Sequence, residues 1–427
     1  MILVYSDSLS SRLIYILNVV FKYVLGVNYK TTVSLIDFEN YKGPKINYSK
    51  KNLENSVRII PVKFLFQNSI QQQNLDVNWI DEVPYFFKTK DGQYDVLASC
   101  FWMITRYEEY LPFTPDHHNR FKAEDSLAYK QGFLKIPVVN VWVQELQQKL
   151  NIEFPNFIFP QRHFSTLNTL DIDTAYFSKG KGFFYFVGGF LKDIIKKRKE
   201  NIEVKWSYLK TQKDVYDTYD FIESVSKNIK THYFFLLGNK SEFDSSVKHT
   251  RKCLKKLIQQ KAKNHSVGIH PSYVSNQKPE LISKEIKRLE KLVGNKITSS
   301  RQHFLKLEFP KTYENLIKNG VRVDYSMGFA SQVGFRAGIC NAYPFYNLKT
   351  ETQESFWIVP FQVMDGTLNQ YLQLSPNKAI DEIKELIDQV KKVDGLFVSL
   401  WHNSSLSEKF GWQGWRKVYQ EMLLLLK

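Results

Sequence analysis

Thr169-Leu170-Asp171-Ile172-Asp173-Thr174-Ala175-Tyr176 is the stretch on which the reading of this chain turns. An apolar approach leads into two carboxylates one residue apart, and strand alternation sets Asp171 and Asp173 on the same side of the backbone. Where the strand runs out into a loop, both can turn toward one ion; the same pair on a solvated strand edge would have no such role. Three further clusters follow in order: His265-Ser266-Val267-Gly268-Ile269-His270-Pro271-Ser272-Tyr273, Ser300-Arg301-Gln302-His303-Phe304 and Phe397-Val398-Ser399-Leu400-Trp401-His402.

After residue 166 a strand-then-helix pattern repeats. Strands are expected at 168–172, 231–237, 266–269, 297–300, 321–325, 357–359 and 396–400, with helices such as 247–263 and 379–393 between several of them. Ser375-Pro376 before the last helix and Asp394-Gly395 after it are start and stop signals. Such alternation implies parallel strands covered by helices, a fold whose chemistry sits at the carboxyl ends of the strands. Asp171, Asp173, His270, Arg301, His303 and His402 all fall at or just past an expected strand end.

The first part of the chain alternates short apolar runs with helical stretches. One of these, 96–104, is closed by Arg106-Tyr107-Glu108-Glu109-Tyr110 and broken by Pro112 and Pro115. The segment 156–161, preceded by Pro155 and containing Pro160, reads as a linker, so two domains are expected, 1–160 and 161–427. At 427 residues the chain exceeds the ~250–300 at which single cores stop growing.

Hydrophobic content of 43% and charged content of 24% are those of a globular protein. Cys100, Cys253 and Cys340 are odd in number and far apart, which points to a reducing compartment. Met1-Ile2-Leu3-Val4-Tyr5-Ser6-Asp7 reads as an immediate strand without the features of a signal peptide. The uncharged run 13–21 is far shorter than the ~20 residues of a spanning helix, so it reads as a buried helix and the expected location is the cytoplasm. A net charge of +16 raises the question of nucleic acid, but the lysines are scattered over solvated helix faces such as 248–263 and 284–291, and no nucleic-acid partner is expected. Attraction to an anionic saccharide precursor or a phospholipid headgroup surface fits the same charge.

A divalent ion of the zinc type takes imidazole and carboxylate ligands and keeps one position open in a catalytic site. Asp173 and His270 are the first two candidate ligands; a satisfied core histidine is the alternative for His270, and His265 is expected to be exposed or structural. Arg301 presents a planar fork to which Asp171 is the natural partner. A carboxylate held this way stays ionised and positioned to accept a proton, although an ordinary supporting ion pair would look the same in sequence. His402, at the mouth of a buried strand, can give a proton to a leaving amine, or else packs under the Asn403-Ser404-Ser405 loop. Tyr273, Trp401 and Trp412 are the aromatic residues suited to the apolar face of a sugar ring.

In this order, these residues resemble the NodB-type polysaccharide deacetylases, the fourth family of carbohydrate esterases. Asp171 and Asp173 take the places of the base and the metal ligand of the first motif, with Ile172 inserted. His265 to His270 match the longer second motif and make His270 its first metal histidine; the second is missing, since Val274 stands there. The third motif, usually Arg-x-Pro, is Arg301-Gln302-His303, which puts His303 where it would supply the absent ligand. Asp324 corresponds to the fourth motif, whose aspartate pairs with that arginine, and Leu400-Trp401-His402 to the fifth. The likeness covers about 166–427, while 1–160 resembles the domain that accompanies such modules in Bacteroidetes proteins.

The resemblance implies an α/β protein: a carboxy-terminal distorted (β/α) barrel with a separate amino-terminal α/β domain. It further implies hydrolysis of N-acetyl groups on a sugar or polysaccharide intermediate with a divalent metal, zinc by its ligand set. Two alternatives stand beside it. A glycosyltransferase also holds its metal with Asp-x-Asp, and a metal-free module that only binds glycan would account for Val274.

Overall fold

The computed structural model describes residues 1–427 other than Phe183 and Tyr185. The chain divides into two compact units. The first comprises Met1–Ser165, Gly334–Pro360 and Gln389–Leu396, and the second Thr166–Val333, Phe361–Asp388 and Phe397–Lys427. The first unit thus takes in two segments, 334–360 and 389–396, that lie within the 161–427 domain expected from sequence.

Along the chain the first unit supplies β1 (Ile2–Ser6), β2 (Tyr29–Thr32), β3 (Lys45–Tyr48), β4 (Val57–Arg58), β5 (Asn78–Ile80) and β6 (Val83–Tyr85). The second follows with β7 (Ser165–Ile172), β8 (Thr231–Leu236), β9 (Ser266–His270), β10 (Ser299–Ser300) and β11 (Val323–Asp324). The chain returns to the first unit for β12 (Tyr343–Asn347) and β13 (Thr352–Ile358), and then forms β14 (Val363–Met364) and β15 (Leu396–His402).

In the first unit β1 to β4 form a parallel sheet in the order β2-β1-β3-β4. The uncharged run at 13–21 is helical and mostly buried, as its lack of charge requires. The hairpin of β12 and β13 belongs to this unit because its aromatic residues find their partners there. Tyr346 stacks 4.7 Å from Tyr15 and 5.3 Å from Phe101, the Tyr15 hydroxyl donates to the Pro344 carbonyl at 2.8 Å, and Arg12 pairs with Glu351 at 2.5 Å. Arg336 reaches back to Glu109, which also holds Arg106, and all three side chains are buried. Burial opposes ionisation of Glu109, but Arg336 and Arg106 outweigh it and hold the carboxyl below its usual range. Glu109→Ala would remove the carboxylate that the buried Arg106 and Arg336 share, leaving Glu108 beside Arg106, and urea unfolding is expected to register a loss of about 3–5 kcal/mol.

In the second unit the order is β11-β10-β9-β8-β7-β15-β14, and the sheet curls like half a barrel. Neighbours from β11 to β7 pair in parallel, as do β14 and β15. The register aligns Phe235 with Ile269, Ile269 with Ser300, and Ser300 with Asp324, so consecutive strands finish along one edge.

The strand expected at 357–359 overlaps the end of β13, where Trp357 and Ile358 lie, and β13 pairs antiparallel with β12. The parallel strand beside β15 is the two-residue β14, set apart from the longer apolar run before it by Pro360 and Gln362. No helix among the described residues is long and apolar enough to cross a membrane.

Candidate metal and acid–base site

The carboxyl edge of the second unit brings six of the expected residues together. Asp171 lies in β7 and Asp173 just beyond its end, His270 ends β9, Arg301 follows β10, His303 begins the next turn, and His402 ends β15. Strand geometry explains the convergence, because parallel strands in matched register deliver their last residues to one rim.

At the centre, Nε2 of His270 stands 3.1 Å from Oδ1 of Asp173, yet both atoms are buried without a hydrogen-bond partner among the described residues. Nε2 of His303 lies 3.6 Å from the other Asp173 oxygen. One ligand atom from each of Asp173, His270 and His303 falls within 4.8 Å of the others. Buried polar atoms are normally satisfied; facing orphans spaced like this fit a divalent ion with N and O bonds of ~2.0–2.2 Å.

The far side of each ring supports that fit. His270 Nδ1 lies 2.6 Å from the Arg301 carbonyl, and His303 Nδ1 lies 2.9 Å from Oδ1 of Asp244. A donor at Nδ1 leaves Nε2 to face the centre, the arrangement of metal-binding histidines. Val274 sits in the short turn Tyr273–Asn276 and offers no ligand atom. His303 reaches the centre from a different loop.

Burial works against a charged His303, but Asp173 and Asp244 outweigh it and lift the imidazole to about 9. Asp173, although burial would raise it, is held well below the usual range by His303 and His402. In the metal-free protein the raised His303 contributes stability that is present in full below about 6.5 and is lost as pH rises through about 9. An ion must displace its proton, so zinc affinity is expected to climb as pH rises toward about 9. Calorimetry in buffers of different ionisation enthalpy should read the released proton. Asp173→Ala, His270→Ala and His303→Ala should each abolish stoichiometric metal in elemental analysis, and any variant that retains it removes that residue from the ligand set.

Beside this trio, Arg301 is fully buried and holds Asp171 at 3.3 Å, donates to Thr169 Oγ1 at 2.7 Å, and donates through Nε to the Tyr325 carbonyl at 3.0 Å. Asp171 Oδ2 is in turn 3.8 Å from Nε2 of His270. His402 Nε2 stands 3.6 Å from Asp173, and its Nδ1 is 2.8 Å from Asp365, which also accepts from the His402 amide at 2.7 Å. Burial alone would lower His402, but Asp365 and Asp173 outweigh it and raise the ring to about 10.

Other expected residues take different places. Trp401 is fully buried, with its ring 4.9 Å from Tyr419 and its indole N–H directed at the Met422 sulfur, so it cannot meet a sugar. Alternation along β15 sends Trp401 and His402 to opposite faces. Asp324 does not bond Arg301 directly; it accepts from Ser300 and from the amide and hydroxyl of Ser326, while Ser326 accepts from the Gln302 amide. Asp324 and Arg301 interact as opposite charges without a hydrogen bond between them. Tyr273 donates its amide to Asp244, and its half-buried ring packs against Phe243 and Phe304. His265 is structural, with Nε2 2.9 Å from Glu223.

Asp365 and Asp244 were not anticipated. Val363-Met364-Asp365 repeats the apolar-then-acid pattern of Leu170-Asp171 and could have been found by it, whereas Asp244 lies in a polar loop without periodicity.

Residues 2–155 match DUF7033, a family of unknown function. No curated protein matches the chain. Among solved structures, one titled "Crystal structure of putative polysaccharide deacetylase from Mycobacterium smegmatis" is similar over 62% of this chain and 86% of that one, at 13% identity and a TM-score of 0.39.

Proposed function

We propose that the second unit is a metal-dependent hydrolase that removes acetyl groups from the nitrogen of an N-acetylated carbohydrate. The observation that carries this reading is the pairing of a held base and a held acid around one candidate ligand trio: Asp171 on Arg301 and His402 on Asp365, each within 3.8 Å of a trio atom.

Asp173, His270 and His303 would hold the ion. When bound, a divalent ion supplies Lewis acidity toward the acyl oxygen and the attacking water. Asp171, kept oriented by a guanidinium that cannot give up its charge, takes the proton from that water. His402, oriented through Nδ1 by Asp365, protonates the departing amine at Nε2. Three free thiols, Cys100, Cys253 and Cys340, fit action in a reducing compartment.

The test is elemental analysis of the purified protein followed by acetate release from a panel of N-acetylated sugars. Acetate release that depends on bound metal and stops on chelation is expected. Metal-loaded protein that releases no acetate, or that binds sugar nucleotides and transfers their sugar instead, would overturn the reading.

A further inference from the structure

Between β7 and β8 the second unit carries a helical hairpin, Phe183–Ile195 and Lys199–Thr211, whose two helices pack on each other through a built inner face. Asp193 is buried there and accepts from Lys205 at 2.6 Å and from Asn201 at 3.2 Å, and Phe186 lies 6.0 Å from Tyr208. Gly189 makes room for this pair, since a Cβ would stand 3.0 Å from the Lys205 ammonium.

Their outer face has the opposite character. Phe184 is 90% exposed, Leu191 54%, Ile194 47% and Ile195 80%, with Trp206 and Leu209 of the second helix 53% and 48%. Positions 184, 187, 191, 194 and 195 recur at the spacing of a single helical stripe. Such a stripe is ordinarily turned to a core; here large aliphatic and aromatic side chains lie together in solvent, and contiguous patches of this kind mark interaction sites. The turn between the helices is Lys196-Lys197-Arg198-Lys199, all exposed, with the exposed Lys192 one turn before it. Against them stand Asp193, which is engaged within the hairpin, Glu200 and Glu203.

An apolar stripe beside a dense basic turn is the composition of a helix that lies in the headgroup region, its apolar side chains among the acyl chains and its cations on lipid phosphates. We infer that this hairpin docks the protein on the surface of an anionic phospholipid bilayer, lying in the interface without crossing it. Charge complementarity selects this occupant, because a neutral protein groove or a second copy of this basic hairpin gives the lysine-rich turn no counter-charge. The inference stands on its own observations and does not require the deacetylase reading.

The experiment is co-sedimentation of the full chain with vesicles of phosphatidylglycerol and phosphatidylethanolamine, and with vesicles of phosphatidylcholine alone. Binding to the anionic vesicles is expected, with weak or no binding to the neutral ones, and it should weaken as salt is raised. Phe184→Ala with Ile195→Ala touches only exposed side chains, and its circular dichroism and melting should match the parent. Its partition should fall by about tenfold or more, as expected for loss of large inserted side chains. Lys196→Glu with Lys197→Glu should abolish the preference for anionic lipid. The proposal is overturned if the full chain ignores anionic vesicles, if the alanine pair binds as the parent does, or if the parent instead forms dimers in sedimentation velocity that the alanine pair abolishes.

Discussion

Asp171→Asn is expected to lower turnover by about 10²–10⁴-fold, the range over which a general base contributes, while metal content stays that of the parent. The substitution keeps the size of a side chain that is 2% exposed, but it replaces the basic carboxylate that accepts the proton with a non-basic amide. It also turns an amide toward Arg301, whose remaining partners are Thr169 and the Tyr325 carbonyl. Some loss of stability will accompany the change, because a buried guanidinium loses its counter-charge. Metal retention separates the two effects, since the candidate ligand is Asp173. Steady-state acetate release combined with elemental analysis reads both, and near-normal turnover would take Asp171 out of the mechanism.

Asp365→Asn should cost a similar factor by a different route. The Asp365 carboxylate is fully buried and holds both the amide and the ring of His402. It is the largest influence working against burial in raising His402 to about 10. Without that charge only Asp173 and Asp171 oppose burial, and the ring titrates lower. A general acid must carry its proton to act, so the basic limb of the pH–rate profile should move to lower pH and turnover at neutral pH should drop. His402→Ala should remove that limb altogether. A profile that keeps its basic limb in Asp365→Asn would assign His402 to packing.

Most of the site could be read from the sequence because parallel sheets place chemistry by a local rule. Asp171, His270, Arg301 and His402 each end or follow a short apolar or β-prone run, and that pattern survives without knowledge of strand order. Partnership was harder to read. Asp365 follows a strand of two residues, while the longer run at 357–359 drew the assignment and turned out to be the end of a hairpin. Asp244 meets His303 only through folding, 59 residues away. Trp401 was assigned to the sugar by proximity to His402 in sequence, when alternation in β15 separates neighbours by the thickness of the sheet. The division into 1–160 and 161–427 rested on the proline-marked segment at 156–161; no local signal marks the two later segments that join the first unit.

Those later segments have a consequence for how the protein is made. Residues 1–165 leave the ribosome first, yet Arg12, Tyr15 and Phe101 acquire Glu351, Pro344 and Tyr346 only when the 334–360 segment has emerged. At the ~5–20 residues per second of translation, that delay is on the order of 10–40 s. The amino-terminal third therefore waits, with a buried arginine and an aromatic face still open, and completes its core after most of the second unit has been synthesised. A nascent chain stalled before residue 334 should remain open to proteases and available to chaperones, and a gene cut at 160/161 would make that transient state permanent.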